Sequence, residues 1–262
     1  MSVRIPILMY HEVTPTPIER YRKYSLTPSE LASQLEWLRD HGYTAVDLDS
    51  LTAAWRGERT LPSRPVVLTF DDGSRDCLEH AVPALLGHGF TATFFIVAGL
   101  VGSTTRWLPA LTGFELPTAD WPTLRAAERD GMRCEAHSVT HPRLATLPDD
   151  ECRDELSRGR AILEDGLGHV VRHLAYPFGS NSARTRELAR EAGYETACTT
   201  HEGLAGAGDD PLGLPRVPVL GTEGMGEFPH RVRSARPVGP LQASVQSIRR
   251  RLGAAVRRRP PA

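Results

Sequence analysis

Along the chain, short apolar runs rich in β-branched and aromatic residues alternate with segments whose apolar residues recur every three or four positions. Residues 5–11 (IPILMYH) open the series as a strand. Thr27, with Pro28 next and Glu30 three residues on, has the spacing of a capping box with proline at the first helical position. It predicts a helix with Leu31, Leu35 and Leu38 on one face and Gly42 at its end. Residues 44–48 read as a short strand and 48–57 as a helix, and 65–70 (PVVLTF) is a continuous apolar run of the kind found in buried parallel strands. A helix ending near Gly89 follows, then strands at 91–99 and 132–138 and a charged amphipathic helix at 148–168. A strand running into a Pro-Phe-Gly turn (170–179), a helix (182–193) and strands at 194–200 and 214–219 complete the series.

Repeated strand–helix units of this length predict a mainly parallel sheet with helices packed outside, either a barrel or an open doubly wound sheet. No glycine-rich phosphate loop follows any strand; residues 98–103 (AGLVGS) miss the spacing, which weighs against nucleotide binding. Polar groups collect where the strands end: His11, Asp71 and Asp72, His137 and His141, and residues 176–179. In a parallel barrel those ends share one face, so a barrel would gather all four clusters into one site.

Composition adds limits. Forty per cent hydrophobic and 24% charged residues describe an ordinary globular chain of 262 residues, with no run near the roughly 20 apolar residues of a membrane span. The four cysteines are scattered without a C-x-x-C pair and read as buried thiols. With no evident signal peptide, the expected location is the cytoplasm. One lysine, Lys23, accompanies thirty arginines, which reads as a compositional bias. Residues 1–230 carry 22 basic against 32 acidic side chains, a net of −10, and residues 231–262 hold nine arginines and no acid. An acidic body argues against a nucleic-acid partner. The expected organisation is a catalytic domain over 1–225 and a basic tail over 226–262. There Leu241, Val245, Ile248, Leu252 and Val256 recur at helical spacing, a pattern that could lie on a membrane surface or a partner, or pack on the domain.

HSVTH (137–141) sets two imidazoles four residues apart, able on a helical turn to grip one cation. With one carboxylate from another strand end they make a three-ligand set that leaves positions open, the mark of a catalytic metal site. Adjacent Asp71 and Asp72 make sense if one binds the metal while the other serves as a base; the plainer reading is a helix cap and turn with Gly73. Trp107 and Trp121 lie in a stretch (104–124) with few regular signals and are expected to pack beneath it rather than stack on a sugar. Nothing singles out Glu115 or Asp120 there. Cys77 reads as core, and His80, His88, His169 and His173 as surface or packing residues.

TFDDG (69–73), HSVTH and AYPFG (175–179), in that order, resemble the three motifs of the polysaccharide deacetylases, the NodB homology domain of carbohydrate esterase family 4, over residues 5–220. The resemblance implies a distorted (β/α)7 barrel, an α/β fold of mainly parallel strands, that removes N-acetyl groups from an amino sugar or glycan. It implies a zinc ion, or cobalt, nickel or manganese, held by Asp72, His137 and His141. Asp71 would be the base, and the N–H of Phe178 would help hold the oxyanion. The sequence departs from the family at three points. The arginine that usually supports the catalytic aspartate is replaced by Ala175, with Arg216 the candidate substitute. The Asp-Trp motif lining the acetyl pocket is not evident. The late histidine acid is missing, since His230 has the wrong surroundings. LMYHEV (8–13) resembles the Y-H-x-V opening of the biofilm-exopolysaccharide branch, in which the N-terminal histidine is the acid, here His11. An imidazole, with an ordinary pKa of about 6.5, suits protonation of a departing amine. Two other readings stand beside this one: a small-molecule amide or imide hydrolase of the same superfamily, and a non-catalytic glycan-binding protein. Oligomeric state is not readable from the sequence.

Overall fold

The computed structural model describes residues 4–236. β1 (Ile7–Tyr10) leads into β2 (Glu12–Val13), which pairs with β3 (Ser25–Leu26) across a 3-10 turn at Glu19–Tyr24. α1 (Pro28–Asp40) starts on the reciprocal Thr27–Glu30 capping box. β4 (Thr44–Ala45), α2 (Leu48–Trp55), β5 (Pro65–Phe70) and α3 (Arg75–His88) follow. β6 (Thr93–Ile96), α4 (Pro109–Thr112), α5 (Trp121–Arg129), β7 (Arg133–Ala136) and α6 (Asp149–Leu167) form the middle of the chain. The last elements are β8 (His173–Ala175), α7 (Ala183–Glu191), β9 (Thr196–Glu202), β10 (Leu214–Pro218) and α8 (Phe228–Ser234).

Seven parallel strands close into a barrel in the order β1-β10-β9-β8-β7-β6-β5, with β5 returning to pair with β1 and the short β4 added beside β5. Strand alternation makes two cores. Val66, Leu68 and Phe70 of β5 face the helical layer, as do Leu8 and Tyr10 of β1 and Cys134 and Ala136 of β7. Ile5, Ile7, Val67, Phe95, Ala175, Cys198 and Leu214 fill the interior, closed below by Leu48 and Leu51 of α2. Carried upward, the inward rows run Ile7–Met9–His11, Val67–Thr69–Asp71, Glu135–His137 and Leu214–Arg216. The chemistry at the strand ends is therefore a continuation of the barrel interior.

Two expectations need correction. Residues 104–124 are not an irregular insertion throughout: Asp120 caps α5 by accepting from Thr123 N–H, with a proline in the first turn. Only Leu124 and Ala127 of that helix are buried, too few to mark a periodic face in the sequence. Residues 137–141 do not form a helical turn but an irregular loop. α8 begins just beyond residue 225 and packs Phe228 and Val232 on the outer core. The helical pattern at 241–256 lies outside the described residues. Among the described residues, no helix is long and apolar enough to cross a membrane.

Candidate active site

Asp71 ends the inward row of β5, and Arg216, fully buried on β10, reaches it with both ends of its guanidinium. Nη1 donates to Oδ1 at 2.7 Å and Nη2 to Oδ2 at 2.6 Å. Nε donates to the Thr199 carbonyl at 2.9 Å and Nη1 also to Thr69 Oγ1 at 3.1 Å. A bidentate, hydrogen-bonded pair of this kind fixes the carboxylate in position and orientation. Burial pushes the Asp71 pKa up, but the charge and hydrogen bonds of Arg216, with smaller help from His137 and His11, outweigh it and hold it below the ordinary value. The support absent at Ala175 thus arrives from another strand.

Asp72 breaks the alternation. Its φ of 75° is left-handed, and its carboxylate serves different neighbours from Asp71's. Gly73 follows at φ 66°, a left-handed conformation that favours glycine, and a Cβ there would also press on Ile96 Cδ1 at 2.9 Å. Asp72 Oδ1 lies 3.5 Å from His137 Nε2 and 3.3 Å from His141 Nε2, and the two Nε2 atoms are 3.2 Å apart. Tyr21 Oη donates to Asp72 Oδ2 at 3.2 Å. Burial raises the Asp72 pKa, but with no cation between them the two imidazoles, when protonated at Nε2, outweigh it by hydrogen bonds and charge and hold the carboxyl well below the usual carboxylate range.

The histidines meet because the loop between them turns twice through left-handed backbone, at Ser138 (φ 64°) and at His141 (φ 66°). Ser138 Oγ accepts the His141 N–H at 3.0 Å. Glu155 on α6 accepts the N–H groups of Val139 and Thr140 at 2.8 and 2.9 Å and the Thr140 hydroxyl at 2.6 Å. His137 Nδ1 donates to the Ala175 carbonyl at 2.7 Å, which leaves its Nε2 lone pair facing Asp72. His141 Nδ1 is buried without a partner, and burial lowers the pKa of that ring.

These residues fit a divalent cation. Ligand atoms 2.0–2.1 Å from a tetrahedral ion sit about 3.3–3.4 Å from one another, and the three distances here bracket that value. One carboxylate and two neutral imidazoles are also the donor chemistry of such sites, with positions left over. Among the described residues this is the one group of three or more such side chains so placed.

The group opens into a cavity of about 370 Å³. His11 lines it beside Tyr24, ring centroids 5.1 Å apart. Phe178, left-handed at φ 57°, lies edge-on to His141 at 4.6 Å, and the Arg143 guanidinium covers its other side at 4.5 Å. All seven expected residues border this space or, for Arg216, hold a residue that does. Trp107 corrects its expectation: it lines the cavity and stacks on His141, at 4.2 Å and 23° between planes. Trp121 does pack, against the outer core. Asp120 is a helix cap, and Glu115 accepts from the Thr104 hydroxyl rather than facing the cavity. Tyr21 and Glu155 were not anticipated. Tyr21 sits in a 3-10 turn with no periodic signal, and Glu155 is one of many acids on a charged helix.

The family model for polysaccharide deacetylases matches residues 58–197. The chain belongs to the polysaccharide deacetylase family, and its closed seven-stranded parallel barrel is the NodB-type fold. Solved structures agree. The deacetylase PplD of Streptococcus pyogenes, in complex with acetate, is 26% identical with a TM-score of 0.77, over 90% of this chain and 100% of that one. IcaB from Ammonifex degensii is 26% identical with a TM-score of 0.73, over 88% and 97%. A curated relative, the poly-beta-1,6-N-acetyl-D-glucosamine N-deacetylase of Escherichia coli K12, is 24% identical over 89% of this chain, which spans only 39% of that protein.

Proposed function

We propose that the chain hydrolyses the amide of an N-acetylated amino sugar within a glycan. The observation that carries the reading is the convergence of Asp72, His137 and His141 beside an Asp71 clamped by Arg216, at the base of an open cavity. Relatives named as glycan N-deacetylases, and a structural neighbour solved with acetate, point the same way.

Asp72, His137 and His141 would hold a divalent ion, zinc by the nitrogen-rich donor set. When bound, the ion supplies a lowered pKa for water and polarisation of the acyl carbonyl. Asp71 takes the proton of the attacking water on a carboxylate oxygen. Its pairing with Arg216 keeps it ionised and aimed, so it is ready as an acceptor at neutral pH. As the water oxygen bonds to the acyl carbon, the N–H of Phe178 donates to the developing oxyanion. The C–N bond then breaks, and His11, at the opposite wall, gives a proton to the departing amine. Products are the free amine and acetate.

The deciding experiment measures acetate release from N-acetylglucosamine oligomers by zinc-supplied and chelated protein in parallel. Release that needs the metal is the expected result. Turnover unaffected by chelation, or none with metal bound, overturns the reading.

A further inference from the structure

Resting on that reading, we infer that the cavity selects an N-acetylated sugar carrying an anionic group, a carboxylate or a phosphate, on the same or the adjoining ring. The charges on the cavity wall are unevenly matched. Its carboxylates have partners: Asp71 has Arg216, Asp72 the two histidines and the cation they would hold, and Glu202 a share of Arg231 at 3.1 Å, whose guanidinium Glu223 grips more closely. Its two exposed cations are Lys23 and Arg143. Among the described residues, Glu227 apart, no carboxylate forms an ion pair with either. Each rests instead on an aromatic ring, Lys23 on Tyr24 at 5.4 Å and Arg143 on Phe178 at 4.5 Å.

With a divalent ion held at Asp72, and even with Glu202 counted as unmatched, Lys23 and Arg143 leave the cavity wall an excess of positive charge, on a body whose first 230 residues carry a net of −10. Lys23 is also the one lysine beside thirty arginines. The cavity wall thus carries a compact ammonium as well as a guanidinium. The two cations flank the reacting centre, Arg143 on the Phe178 side and Lys23 on the Tyr24–His11 side. Any acetamide held between Phe178 and His11 thus has a cation near either end. A neutral glycan leaves both without partners.

The test compares acetate release by the full chain, supplied with zinc, from a neutral N-acetylglucosamine oligosaccharide and from the same oligosaccharide bearing carboxyl groups or phosphate monoesters. The expected kcat/KM is about tenfold higher for a charged substrate, and this ratio should shrink as salt is raised. In the Lys23→Gln/Arg143→Gln double variant the charged-to-neutral ratio should fall to near unity, and Lys23→Glu should lower it further than Lys23→Gln. Whichever charged substrate shows the larger ratio identifies carboxylate or phosphate as the source. Efficient cleavage of the neutral oligosaccharide with no charged preference overturns the inference and leaves the deacetylase reading standing. A preference that survives in the double variant also overturns it. No release from any substrate by metal-loaded protein overturns both.

Discussion

The barrel interior holds buried ionisable groups at both ends, and the two ends differ in kind. At the N-terminal end, Glu135 Oε2 accepts the N–H groups of Arg172 and His173 at 2.9 and 2.8 Å. The His173 ring bonds Thr196 Oγ1 at 2.7 Å and Asp49 Oδ1 at 3.1 Å. These groups lie on regular strands and on α2, with ordinary backbone, and tie strand to strand. At the C-terminal end, four non-glycine residues adopt left-handed backbone, Asp72, Ser138, His141 and Phe178, and all border or shape one cavity. Each such conformation costs of order 1 kcal/mol or more and persists only where surrounding structure enforces it. Burial and charge alone therefore do not mark a site in this molecule. Strained backbone that aims several donors into one open space does.

The comparison breaks most sharply at Asp72, His137 and His141. Asp72→Ala, His137→Ala or His141→Ala should each abolish tight zinc binding and acetate release, while His173→Ala should keep one zinc per chain and lose about 1–3 kcal/mol of stability. Metal content after gel filtration and denaturant unfolding measure both. Equal metal loss in His173→Ala would erase the distinction between the two ends. Asp71→Asn should retain zinc but lose about 10²- to 10⁴-fold in kcat. Removing one partner of a buried pair also costs about 3–5 kcal/mol, so Arg216→Met should lower stability and activity together.

A smaller effect sharpens the role of the histidine loop. Glu155→Ala leaves the Val139 and Thr140 N–H groups without their acceptor and should weaken zinc affinity about 10- to 100-fold. Glu151→Ala, one turn away on the same helix, should not; competition with a chromophoric chelator reads the difference.

A further effect concerns pH. Glu12, buried just after His11, is pushed up to about 8, chiefly by burial, with the charges of Asp76 and Asp72 adding and a hydrogen bond from Ser74 opposing. The unfolded chain has released this proton by pH 6, since an exposed glutamate titrates near 4.3. The folded chain still holds it, so stability should fall as pH rises from about 4.3 toward 8. Unfolding of metal-free wild type and Glu12→Gln should show a gap opening in the variant's favour between pH 6 and 8. Asp71 has the opposite sign: its lowered pKa adds stability above the unfolded value of about 3.9 and loses it only as acid carries the pH below that.

The alternation of apolar runs and helical faces, with the capping box at Thr27 and the turn at Gly89, was enough to place all seven barrel strands and five of the eight helices, but not α4, α5 or α8. Those signals are local, set by periodicity of two and 3.6 and by backbone chemistry. The inward rows likewise put His11, Asp71, His137 and Arg216 on the barrel axis by parity alone, once closure is granted. Closure itself was open to the sequence, since strand–helix repeats serve an open sheet equally well. The pairing of β5 with β1 is a contact between strands some 60 residues apart that no local signal encodes. The same limit hid Tyr21, Trp107 and Glu155: each sits in a turn or on a charged face, and each matters through a partner distant in the chain. Tertiary structure decided which aspartate met which neighbour, because a single left-handed residue after Asp71 sends adjacent carboxylates to different partners.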